Sequence, residues 1–129
     1  MKLLLLEDDF DNQLFINVLF KESFEIETVD NYDSAFEKIN ETIYDLFIID
    51  ISLRGKMNGL DFVRDIRKSD RYKNVPVACL TAHNYPRDRQ NSFDAGVDLY
   101  LVKPIHPTFL KDAISTLINR TPSTLAPAV

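Results

Sequence analysis

Short apolar runs alternate along the chain with longer segments in which apolar residues recur at helical spacing. Leu3–Leu6 reads as a buried strand, and Leu14, Phe15, Val18 and Leu19 then mark a helix. Phe24–Val29 sets Phe24, Ile26 and Thr28 against Glu25 and Glu27, the alternation of a half-exposed edge strand. A second helix follows with Ala35, Phe36, Ile39 and Ile43 on one face. Leu46–Ile49 is apolar throughout, as a central parallel strand should be. Gly55 and Gly59 punctuate a loop, after which Leu60, Val63 and Ile66 begin a third helix. Val75–Leu80 is a further buried strand, and Pro86 fits the first turn of a fourth helix ending at Gly96. Asp98–Val102 gives a fifth strand. Phe109, Leu110, Ala113, Ile114, Leu117 and Ile118 then make a last amphipathic helix. Five strand–helix units in series predict an α/β fold: a doubly wound five-stranded parallel sheet with helices on both faces. Residues 1–120 form the predicted domain, and residues 121–129, rich in turn and small residues, are expected to be a flexible tail.

In doubly wound sheets, ligands bind beyond the carboxyl ends of the strands. There the first strand delivers Glu7 and Asp8, the third Asp50, the fourth Thr81 and the fifth Lys103. Three acids, a hydroxyl and an amine would share one rim. Taken singly, each has a plain explanation. Asp9 or Asp11 can cap the first helix, Lys103 alone would be a solvated lysine, Thr81 a strand-end hydroxyl and Tyr100 core packing. His83 and His106 lack metal-ligand spacing, and Cys79 reads as a small buried hydrophobe.

Composition narrows the classes further. A length of 129 residues suits one domain with a real core, and a net charge of -5 argues against direct nucleic-acid binding. The longest apolar runs are too short to cross a bilayer, and a lone cysteine fits a reducing, cytoplasmic setting.

With these residues in this order, the chain resembles the receiver domain of two-component response regulators, from Met1 to about Arg120. Glu7-Asp8 matches the family's acid pair, Asp50 its phosphoacceptor, Thr81-Ala82 its hydroxyl step, Lys103-Pro104 its lysine-proline step and Tyr100 its aromatic switch position. The resemblance implies strand order 2-1-3-4-5, flavodoxin-like, and a cis Lys103–Pro104 peptide bond. It implies Mg²⁺ held by Asp8, Asp50 and the backbone carbonyl of Ser52, with Glu7 acting through water or from behind the direct ligands. All-oxygen ligands and a need to neutralise phosphoryl charge suit that ion. Lys103 and Thr81 would each meet a phosphoryl oxygen, and Thr81 and Tyr100 would act as the switch.

The implied partners are a histidine kinase or phosphotransfer protein and a downstream protein target. The target would dock on the fourth helix, fifth strand and fifth helix (Arg87 to Arg120), with Asp94, Asp98 and Lys111 as rim charges. Neither nucleic acid nor membrane is an expected partner, and the domain is not expected to turn over external substrates. Arg54 stands where many receivers carry proline, while Ser52 and His83 occupy positions that tune phosphoaspartate lifetime in the family. A haloacid-dehalogenase-type phosphatase would need an acid at Ser52, and an FMN site would suffer repulsion from Glu7, Asp8 and Asp9. The rival reading is a receiver-fold adaptor that docks partners without phosphorylation.

Overall fold

A computed structural model describes residues 1–52, 58–82 and 85–125, with side chains through residue 119. The expectations for Gly55, Arg54 and His83 lie outside the described residues. The elements in chain order are β1 (Lys2–Leu6), α1 (Phe10–Phe20), β2 (Glu25–Val29), α2 (Tyr32–Glu41) and β3 (Leu46–Ile49). They continue with α3 (Gly59–Arg67), β4 (Val77–Thr81), α4 (Pro86–Ala95), β5 (Leu99–Val102) and α5 (Pro107–Leu125). The five strands are all parallel and lie in the order β2-β1-β3-β4-β5, as expected.

Strand alternation sends successive side chains to opposite faces and so builds two cores. Leu4, Leu6, Phe47, Ile49, Val77 and Cys79 pack beneath α2, α3 and α4. Leu3, Leu5, Leu46, Ile48, Ala78 and Leu80 pack beneath α1 and α5. Leu3–Leu6 and Leu46–Ile49 are buried at every position because helices cover both faces. Removing each such side chain from water contributes about 1.5–3 kcal/mol before chain entropy is set against it.

Helix boundaries follow local chemistry. Asp9 caps α1, its carboxylate accepting from the Asn12 amide at 2.9 Å. Asn58 and Asp61 form a reciprocal capping box at the start of α3. Pro86 opens α4, which stops at Gly96 with φ of 116°, a left-handed conformation that glycine adopts without a Cβ clash.

Three expectations are corrected. On α1, Ile16 and Phe20 are the buried residues, while Leu14 and Val18 are more than half exposed and Phe15 is also on the surface. The helix is apolar on nearly every side, so spacing alone could not pick the inward face. On α2, Ala35 and Ile39 are buried, but Phe36 and Ile43 are exposed, Ile43 lying past the helix end. At the other end, α5 runs on to Leu125, so residues 121–125 of the expected loose tail continue the helix. No glycine follows Arg120 to supply a left-handed stop.

Candidate functional site

The parallel sheet brings Glu7, Asp50, Thr81 and Lys103 to one rim because each follows or ends a strand. Register fixes their neighbours: Leu6 pairs with Ile49, and Thr81 pairs with Val102. Backbone hydrogen bonds carry the alignment past the strand ends, from the Asp50 amide to the Leu6 carbonyl and from the Lys103 amide to the Thr81 carbonyl, both 2.8 Å. The Lys103–Pro104 peptide bond is cis.

Lys103 stands between two acids. Its Nζ lies 2.8 Å from Glu7 Oε1 and 3.3 Å from Asp50 Oδ2. Glu7 and Asp50 are buried, at 2% and 6% exposure, and Thr81 is wholly buried. Glu7 is further fixed by the Asp9 amide donating to Oε2 and by the Gln13 side-chain amide donating to the Glu7 carbonyl. On the other side of Asp50, the Ser52 amide and hydroxyl both donate to Oδ1, at 2.9 and 2.7 Å. Both oxygens of Asp50 are therefore oriented before any ligand arrives.

The two buried acids are shifted in opposite directions. Burial pushes the Glu7 carboxyl up to about 7, with Asp50 adding to the rise and Lys103 opposing it. Burial also works against ionisation of Asp50. There the Ser52 donors, Glu7 and Lys103 outweigh it and hold the carboxyl below its usual range. Burial works against the Lys103 ammonium, but Glu7 and Asp50 raise its pKa. Of the two, Asp50 is thus the acid whose ionised form is favoured.

Glu7, Asp8 and Asp50 can each offer one carboxylate oxygen, all within 4.8 Å of one another. Three hard oxygen donors so close together fit a divalent cation of the magnesium type. Tyr100, on β5, is 5% exposed and belongs to the core beneath α2–α4.

Two features lie beyond the sequence reading. The resemblance gives Ser52 a backbone role, whereas its hydroxyl also binds Asp50. Gly59 punctuates a loop in the sequence but is the first, buried residue of α3. A Cβ there would stand 2.3 Å from the Asp50 carbonyl oxygen and 2.7 Å from Ile49 Cγ2. Only glycine lets α3 approach the strand end so closely. A glycine directly before a helical apolar repeat is the available signal.

Comparison with known proteins agrees with this geometry. The response regulator receiver domain model matches residues 3–115. The transcriptional regulatory protein CpxR homolog of Haemophilus influenzae is 36% identical over 123 residues, 95% of this chain and 52% of that protein. The phosphate regulon transcriptional regulatory protein PhoB of Escherichia coli is 29% identical over 92% of this chain and 52% of its own length. The chain spans about half the length of these curated relatives. Among solved structures, the receiver domain of the sensor histidine kinase PA1611 from Pseudomonas aeruginosa superposes with a TM-score of 0.82 at 28% identity. That match covers 92% of this chain and 97% of that one, which has a magnesium ion coordinated in its active-site cleft. The Vibrio cholerae chemotaxis protein CheY4 gives a TM-score of 0.83 at 26% identity, covering 90% and 97%. Carboxylates gathered on one rim of a 2-1-3-4-5 sheet, and a family match over most of its length, make this chain a member of the response regulator receiver domain family of two-component systems.

Proposed function

We propose that this chain accepts a phosphoryl group on Asp50 from a histidine kinase or phosphotransfer protein, using Mg²⁺, and passes the signal to a protein target. The observation that carries this reading is Lys103 Nζ bridging Glu7 and Asp50 beside a third carboxylate, Asp8. A carboxylate oxygen of Asp50 attacks phosphorus, and a P–O bond forms as the P–N bond breaks. The electron pair of that bond returns to the histidine ring of the donor. Ser52 holds Oδ1 throughout, so the carboxylate keeps its direction during attack. Lys103 turns from Asp50 and Glu7 toward an incoming phosphoryl oxygen, and the Thr81 hydroxyl donates to another. Asp8, Asp50 and the Ser52 carbonyl, with Glu7 behind them, would hold a Mg²⁺ ion, whose charge would offset repulsion between the carboxylates and the phosphoryl group.

Residues 1–120 act as the receiver unit, and the chain changes its own state rather than turning over external substrates. Thr81 and Tyr100 form the switch, and the target docks on α4, β5 and α5, where Asp94, Asp98 and Lys111 provide charge. The setting is cytoplasmic, where the lone cysteine fits a reducing compartment, and a net charge of -5 disfavours direct contact with nucleic acid. Intact-mass measurement after incubation with Mg²⁺ and acetyl phosphate tests the reading. One phosphoryl group per chain is expected, and none on Asp50→Asn. An unlabelled parent protein would instead identify a docking adaptor.

A further inference from the structure

The α4 helix carries Arg89 and Phe93 four residues apart on one face, and Tyr85, four residues before Arg89, is its N-cap residue. Tyr85 and Phe93 are exposed, whereas the buried residues of this helix are Ser92 and Ala95. Arg89 bends over this face toward the sheet. Its guanidinium carbon lies 5.2 Å from the Phe93 ring centroid and 5.6 Å from the Tyr100 ring centroid. The two rings are 6.4 Å apart and tilted at 45°. Both distances are within cation–π range, so one cation serves two rings on different elements. If Tyr100 turned outward it would leave Arg89, Phe93 and the core beneath α2–α4 together.

We propose that Arg89 is a positioning residue for Tyr100, its guanidinium favouring the inward ring and so setting the resting bias of the switch. The consequence for signalling rests on the reading of Thr81 and Tyr100 as a switch pair; the hold of Arg89 on the ring does not. A planar, weakly hydrated guanidinium lies flat on aromatic faces more readily than an ammonium, so lysine should substitute only in part. Loss of one exposed cation–π contact corresponds to about a two- to fivefold change in the rotamer balance.

Full-length protein labelled with 3-fluorotyrosine tests this by ¹⁹F NMR, using Tyr100→Phe to identify the resonance among five tyrosines. Solvent exposure of the Tyr100 fluorine is the readout, measured alone and with Mg²⁺ and beryllofluoride. Arg89→Ala should raise that exposure in the untreated protein, Arg89→Lys should fall between, and the melting temperature should hardly move. Beryllofluoride should return the variants toward the inward ring, at about two- to fivefold higher concentration for Arg89→Ala. Unchanged exposure of Tyr100 in Arg89→Ala overturns the proposal. If beryllofluoride fails to move Tyr100 in the parent, the switch reading fails, while the untreated Arg89→Ala comparison still decides the hold on the ring.

Discussion

The two ends of the β-sheet both carry clustered charge, but they balance it differently. At the amino end, Lys2 Nζ meets Glu25 at 2.7 Å, and the Lys2 amide donates to Asp45 at 2.8 Å. Arg67 donates to the Gly96, Tyr72 and Val75 carbonyls and meets Asp98 at 2.9 Å, while Asp98 also accepts from the Val77 amide. Donors and acceptors match there, and the result is a clasp joining α3, the loop before β4 and the start of β5. At the carboxyl end, among the described residues, Glu7, Asp8 and Asp50 bring carboxylate oxygens within 4.8 Å of one another, and Lys103 Nζ meets two of them, Glu7 and Asp50. Matched charge holds a fold together. Like charges gathered within reach of one ion suit a cationic ligand, and that difference separates the two rims.

The sharpest break of this comparison is loss of function without loss of fold. Asp50→Asn should abolish Mg²⁺-dependent labelling by acetyl phosphate, with a melting temperature equal to or above the parent's, because a like charge leaves the cluster. Undiminished labelling of that variant would refute Asp50 as acceptor. Arg67→Met should do the reverse. It strands three carbonyls and the Asp98 carboxylate, at a cost on the order of 3 kcal/mol in a urea melt. The folded fraction should still take up phosphoryl groups. A variant as stable as the parent would show that the clasp contributes little.

How much of this was legible beforehand depends on what each feature needs. Leu3–Leu6 and Leu46–Ile49 were readable as strands because burial on both faces leaves an unbroken apolar run. The rim residues were readable because strand ends in a parallel sheet converge whatever the loops do. The inward face of α1 was not, since Phe10, Leu14, Val18 and Ile16 together surround the helix and only docking chooses among them. Arg67 carried no signal at all: three of its four partner residues meet it through backbone carbonyls, a chemistry every residue shares. The Ser52 hydroxyl depends on the turn after β3, a geometry that residue types alone do not fix.

The carboxylate cluster itself can be titrated with metal. Millimolar Mg²⁺ should raise the thermal stability of the parent, by about 2.7 kcal/mol at a hundredfold excess over its dissociation constant. Asp8→Asn, which removes one of the clustered carboxylates, should lose most of that increment. Equal stabilisation of both proteins would place the ion elsewhere.

The finest test compares two glutamates of the same sheet. Burial drives Glu7 up to about 7. Glu27, on β2, is held below its ordinary value by Lys38 at 3.0 Å, with the Tyr44 hydroxyl and Lys2 assisting against slight burial. A carboxyl whose folded pKa is depressed stabilises the fold above its unfolded value of 4.5 and loses that contribution as pH falls through the folded pKa. Glu27→Gln should therefore weaken the protein slightly at pH 7 and flatten the acid limb of its stability profile below about pH 4.5. Because the side chain remains 27% exposed, solvent screening limits the effect to a few tenths of a kcal/mol. Urea melts of parent and variant between pH 3 and pH 7, where roughly this window falls, would reveal it. An acid limb of unchanged slope would mean that the Lys38 pair is electrostatically idle, and that matched charge at this end of the sheet works through geometry alone.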